Sequence, residues 1–222
     1  MLDGFAEGDR HSRSLLFGCG VVLFLVASAA AQASGASSQL VLENDFIRVF
    51  RITIAPNDST TLAEKTDAVL LRISSESSEF LPKGKSVQET NGSDRETVDL
   101  LIELKRHWDA EVLPCSFPKQ CTRTTEMGGE AIAWTTTIFT NGFITGSTHK
   151  LVRGGTLTSS YYTAKGSDRI LVVPFTKLKA NFGGTEETLN AGEPYFSAGT
   201  EVEVTANDAE SRWFVLRINV SK

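Results

Sequence analysis

Short apolar runs separated by turn signals recur along most of the chain. Between Lys165 and Asn207, the runs Ile170 to Val173, Tyr195 to Phe196 and Val202 to Val204 are separated by Gly183-Gly184, Asn190-Ala191-Gly192 and Ser197-Ala198-Gly199. That is the spacing of short strands joined by tight turns, and it reads as half of a small β-barrel. Upstream, Phe46, Val49, Ile52 and Ile54 follow an alternating strand pattern that ends at the turn Pro56-Asn57-Asp58, and a further apolar run ends at Ser74. Ile132 to Phe139 is rich in β-formers and predicts another strand. Thr97 to Trp108 reads as a strand, with a short helix left open because a compact apolar run does not separate the two. Glu76 to Arg95, rich in Ser, Glu, Lys and Gly, predicts surface loops and a hairpin.

The order of strand, turn, loop and strand recurs about one hundred residues later. Asn44-Asp45-Phe46-Ile47 lines up with Asn141-Gly142-Phe143-Ile144, and without a gap Ile54-Ala55-Pro56-Asn57 falls on Leu151-Val152-Arg153-Gly154. With a short insertion, Lys65 to Leu70 then faces Lys165 to Leu171. The pattern predicts an all-β protein with two related parts, residues 40–145 and 146–222.

Composition adds an address and removes one class of partner. Apolar residues make up 41% of the chain, enough for a sizeable core. The net charge of -5, with no Lys/Arg run, argues against nucleic acid. Leu15 to Ala31 is a nearly unbroken apolar run behind Arg10, His11 and Arg13, and Ala31-Gln32-Ala33 is a small-x-small cleavage site. Residues 1–33 therefore read as a secretory signal peptide and the protein as secreted or periplasmic. Retention of the run as an anchor is the alternative, and the one route to a membrane. Cys115 and Cys121 are the cysteines left after cleavage. Export favours a disulfide between them, which on chain entropy stabilises by roughly 2 kcal/mol. A redox or metal-binding pair is the other reading, against which the spacing is not C-x-x-C.

The segments RVFRITIAPNDST and TDAVLLRIS in the first part, and KLVRGGTLT, SDRILVV, LNAGEPYFSAGTEVEV and RWFVLRI in the second, resemble the cupin superfamily. The resemblance implies a jelly-roll β-barrel, here as two cupin-like repeats. Metal-binding cupins carry a His-x-His pair, an acidic ligand a few residues on, and a further His after a second turn. At those places this chain has Ala63 and Lys65, then Val69 or Leu70, in the first part; the second offers Tyr161-Tyr162-Thr163 and Val202. Without imidazoles and a carboxylate a transition metal has no ligand set, so no metal or other cofactor is expected.

The candidate residues carry bland readings beside functional ones. His149 heads an inferred strand and becomes a general base if it points into the barrel beside an acid; a structural histidine is the commoner case. His107 reads as a strand end at the surface. Lys65 and Lys165 fall at matching places near a barrel mouth, either as fixed charges for an anionic ligand or as ordinary exposed lysines. Tyr161, Tyr162 and Trp213 stack on a sugar or ring in one reading and are core or cross-strand partners in the other, and Tyr161, Thr163, Lys165 and His149 are the candidates to line the second barrel's mouth. Glu201 and Glu203 share a strand face that reads as solvated. No G-x-S-x-G elbow is present, and Asn57, Asn91 and Asn219 begin glycosylation sequons. The favoured expectation is a metal-independent binding or scaffold module for a small carbohydrate or anionic ligand. The alternative is a divergent cupin enzyme doing isomerase-like or epimerase-like acid/base chemistry on a carbohydrate or small acid, with His149 as base and Tyr161 or Lys165 assisting. A third is a homo-oligomer pairing through open sheet edges.

Overall fold

A computed structural model describes residues 35–106, 111–115, 121–160, 162–163, 166–198, 201–206 and 209–220, with residues 160, 162–163 and 166–167 described in backbone only. The predicted signal peptide, His107, Tyr161 and Lys165 lie outside the described residues.

Among the described residues the first part of the chain runs through β1 (Ala36–Glu43), β2 (Ile47–Ile54), β3 (Ser59–Ala63), β4 (Ala68–Arg72), β5 (Ser77–Leu81), β6 (Ser86–Thr90) and β7 (Thr97–Leu104). There follow β8 (Leu113–Pro114), β9 (Thr122–Met127), β10 (Glu130–Thr140), β11 (Ile144–Leu151), β12 (Thr156–Ser160), β13 (Tyr162–Thr163) and β14 (Gly166–Ser167). The last are β15 (Arg169–Pro174), β16 (Leu178–Phe182), β17 (Thr185–Leu189), β18 (Tyr195–Ala198), β19 (Glu201–Thr205) and β20 (Ser211–Ile218). Thr97 to Leu104 is thus a strand, not a helix, and β11 carries the chain across the division drawn between residues 145 and 146.

The architecture is an all-β jelly roll in which the described strands pair antiparallel. One large sheet has the order β1-β2-β7-β4-β5 and a second β18-β15-β20-β11-β10-β8, with β9 also pairing along β10. Each is faced by a smaller sheet, β3-β6 in the first case and β12-β19-β16-β17 in the second.

Three apolar cores explain why the strands read as runs. Ile47, Val49, Leu100, Ile102 and Leu104 meet Phe139, Ile144, Leu171, Phe214 and Leu216 between the two large sheets. Phe50, Ile52, Ile54, Leu70 and Leu101 fill the first barrel with Leu62 of β3. Ile170, Val172, Trp213 and Val215 fill the second with Leu178, Phe182 and Val204. Strands of the large sheets are therefore buried on both faces, which erases alternation. The single alternating set expected in β2 is corrected accordingly: Phe46 precedes the strand, and Val49 and Ile52 face different cores.

The hairpin expected between Glu76 and Arg95 does not form. β5 pairs with β4, and β6 crosses to pair with β3 in the opposite sheet. Turn residues at Pro82 to Gly84 mark where the chain bends, not which sheet it next joins.

The aligned segments share their turns. Asn44 Oδ1 accepts from the backbone N–H of Phe46 at 2.8 Å and of Ile47 at 3.1 Å. Asn141 Oδ1 accepts from Phe143 at 3.0 Å and Ile144 at 2.9 Å. At the other end of the two strands, Asn57 (φ 58°) and Gly154 (φ 76°) both take left-handed backbone, which asparagine and glycine tolerate best.

Candidate functional site

The polar part of the second barrel's inner wall is built on β10, β11 and β20. Side-chain alternation puts Ser147, His149 and Leu151 of β11 on the inner face, opposite Val215, Trp213 and Ser211 of β20. His149 is buried. Its Nδ1 lies 3.0 Å from the Thr135 hydroxyl and its Nε2 3.0 Å from the Ser147 hydroxyl. Burial pushes the imidazole down to about 4, so the ring is neutral near pH 7; one nitrogen donates and the other accepts. The ring also stacks on Trp213. No carboxylate hydrogen bond to the ring accompanies the two hydroxyls among the described residues, and the acid expected to tune His149 is not seen there.

Counted from the Asn44 and Asn141 turns, the side chains of β2 and β11 can be compared position by position. Phe50 and Ile52 pack into the first barrel's core, where β11 has Ser147 and His149. Nearer the strand start, Thr145 pairs with Arg217 across the sheet, and the Arg217 guanidinium donates to the fully buried Asp168. β13 and β14 pair with each other immediately before Asp168, so the Thr163 backbone lies in a hairpin leading into that ion pair. Ser147 and Arg217 are half-buried. This end of the second barrel therefore combines small hydroxyl side chains with an anchored guanidinium.

The other sequence-predicted residues separate. Lys65 is exposed on the turn between β3 and β4. Trp213 packs in the core and stacks on His149. Cys115 and Cys121 form a disulfide with Cα atoms 6.3 Å apart, joining β8 and β9, which both pair along β10. Glu201 and Glu203 are exposed along β19. Asn91 is buried and its amide donates to the carbonyls of Ile54, Ala55 and Arg95, which closes that sequon to modification in the folded chain.

Sequence reasoning missed the charges inside the first barrel. Arg72 donates to both oxygens of Glu89, at 2.9 and 2.6 Å, and to Glu79 at 3.1 Å. Asp99, on β7 beside Arg72, is raised to about 6, first by burial and then by the Glu89 charge. Near the opposite end, burial and the Glu103 charge raise Glu64 to about 7. Only alternation against the core residues of β3, β4, β6 and β7 could have marked these positions as inward.

The residues at the metal-ligand positions implied by the resemblance do not fit a metal. Ala63 and Lys65 are exposed, Val69 and Leu70 are buried in separate apolar cores, and Val202 lies in a third. Among the described residues no group of three His, Cys, Asp or Glu side chains is placed to hold an ion.

No family model and no curated protein matches the chain in sequence. Solved structures match it in shape. The putative glyoxylate induced protein from Pseudomonas aeruginosa gives a TM-score of 0.56 at 11% identity, over 85% of this chain and 81% of that one. AerE from Microcystis aeruginosa gives 0.52 at 10% identity, over 82% and 96%. Salicylate 1,2-dioxygenase from Pseudoaminobacter salicylatoxidans, in its adducts with gentisate, gives 0.51 at 9% identity, over 78% and 68%. At such identities the likeness establishes the fold and nothing finer.

Proposed function

We propose, from the premise that this chain has the cupin fold, that it is an exported protein of two cupin-like repeats whose second barrel binds a small polar ligand without a metal. The observation that carries the reading is the replacement of Phe50 and Ile52, packed in the first barrel, by Ser147 and His149 in the second. A packed aromatic excludes a ligand, whereas a small hydroxyl beside a neutral imidazole takes less space and offers donors and acceptors. Arg217, held by Asp168, supplies a cation near the same end, which suits a ligand with a carboxylate or a polyol chain. The leader-like segment and the disulfide support an exported setting.

The test is a native mass spectrum of the mature protein from the exporting compartment, with Ser147→Phe run beside it. A co-purifying organic mass that Ser147→Phe abolishes supports the reading. A bound transition metal, or an organic mass retained by a folded Ser147→Phe protein, overturns it.

One observation favours turnover as a second reading. Ser147 Oγ stands 3.0 Å from His149 Nε2, while Thr135 holds Nδ1, the arrangement of a hydroxyl, a base and an orienting group. A base held near pH 4 by burial is weak, which places binding ahead of catalysis. Product formation from a carbohydrate or small acid, lost in Ser147→Ala and in His149→Gln while the fold persists, would reverse that order.

A further inference from the structure

On the opposite face of the second large sheet, outside the barrel, two cross-strand rows lie side by side. Thr122, Thr136 and Thr148 form one, from β9 through β10 to β11. Trp134, Lys150 and Arg212 form the next, from β10 through β11 to β20. With Glu76, from the turn after β4, and with His149 and Phe175, they line a groove of about 400 Å³. That volume lies at the small end of the range for small-molecule sites.

The groove walls have a definite chemistry. The Thr122 and Thr136 hydroxyls are 3.0 Å apart. The Lys150 ammonium sits 5.5 Å from the centroid of the Trp134 ring and 2.7 Å from Glu210. Arg212 donates from Nη1 to Glu76 and from Nε to Glu210. Each cation therefore already faces a carboxylate, and an anion entering the groove would have to displace Glu76 or Glu210. A purely apolar ligand would strip water from hydroxyls and charges without replacing its hydrogen bonds.

We propose that this groove is a binding site for a neutral pyranose, as a mono- or disaccharide. A pyranose has an apolar C–H face and a rim of hydroxyls that both donate and accept. Trp134 offers an aromatic surface for the first, as indoles do at interfaces that are apolar on one side and wet on the other. For the rim, Glu76 accepts, Lys150 and Arg212 donate, and the threonines do either. The groove and the barrel interior meet at His149: Thr148 and Lys150 on either side of it line the groove, and His149 also borders the groove while its ring nitrogens bond Thr135 and Ser147 on the barrel side.

The test uses the full mature chain and titrates glucose, galactose and maltose by calorimetry and by tryptophan fluorescence, with inorganic phosphate as the charged probe. The expected result is saturable binding of at least one sugar and none of phosphate. Trp134→Leu and the near-isosteric Thr136→Val should each weaken it, Trp134→Leu by about tenfold in Kd, equivalent to about 1.4 kcal/mol. Absence of saturable binding to all three sugars overturns the proposal, as does phosphate binding in their place. So does sugar binding that both folded variants retain at full strength, or that Ser147→Ala abolishes, since the latter would put the sugar inside the barrel.

Discussion

The imidazole of His149 lies nearly parallel to the indole of Trp213, with ring centroids 5.1 Å apart and an interplanar angle of 8°. The two face each other across β11 and β20 as a cross-strand pair. Stacking on a large apolar ring removes water from the imidazole, and this burial, not a neighbouring charge, depresses its proton affinity.

That relationship gives a pH dependence of known sign. The folded His149 titrates at about 4 and the free side chain at 6.5. Between those values the unfolded chain holds the proton and the folded chain does not. The contribution is therefore complete above pH 6.5 and declines as pH falls towards 4, with about 2 kcal/mol lost by pH 5. His149→Gln should lose less stability than the parent between pH 7 and pH 5 in urea unfolding. Equal losses would show that His149 is not the buried neutral group described.

Glu64 carries the opposite sign. It is held at about 7 in the folded protein, against 4.5 for the free side chain, by burial and the Glu103 charge. Between those values the folded chain holds the proton and the unfolded chain does not. Its stabilisation is present below pH 4.5 and is lost as pH rises through 7. Glu64→Gln, which removes the ionisable group at constant shape, should stabilise the protein by about 3 kcal/mol at pH 8 and by close to nothing at pH 4.5. The same gain at both values would reject the assignment.

Gly146 and Phe139 are coupled by space. They pair across β10 and β11, and a Cβ on Gly146 would run into the Phe139 ring. That ring cannot swing aside, because it is buried between Phe80 at 5.5 Å and Phe214 at 6.4 Å. Gly146→Ala should lower stability by about 1–3 kcal/mol, and its cost should shrink in a Phe139→Ala background. Strict additivity in the double mutant would show that the two do not meet.

The Cys115 to Cys121 disulfide joins two strands that bind the same edge of β10. Replacing both cysteines by alanine should cost about 2 kcal/mol through loop entropy. Because Thr122 follows Cys121 directly and lines the outer groove, sugar affinity should fall with it. An unchanged melting temperature after removal of both thiols would exclude the stabilising role.

Local signals were legible in the sequence wherever backbone geometry depends on residues close in the chain. The left-handed Asn57 in the turn Pro56-Asn57-Asp58 and the Gly183-Gly184 reversal between β16 and β17 both follow from residues acting within a few positions of each other. The strand content and the cupin likeness came from the same local record. Partner choice did not. β5 and β6 look like a hairpin in sequence yet join different sheets, because a turn fixes a bend and not the edge that the next strand meets.

The sequence by itself therefore determined an all-β jelly roll, its turns and the pair of cysteines, since these rest on short-range sterics, hydrogen bonding and proximity. The tertiary structure alone decided which residues share a wall. Arg72 reaches Glu89 across two sheets, Ser147 faces a barrel that its aligned counterpart Phe50 fills, and Glu76 reaches Arg212 from the far end of the chain. Those neighbours are set by long-range sheet packing, and in strands buried on both faces the hydrophobic pattern does not record which face a side chain takes.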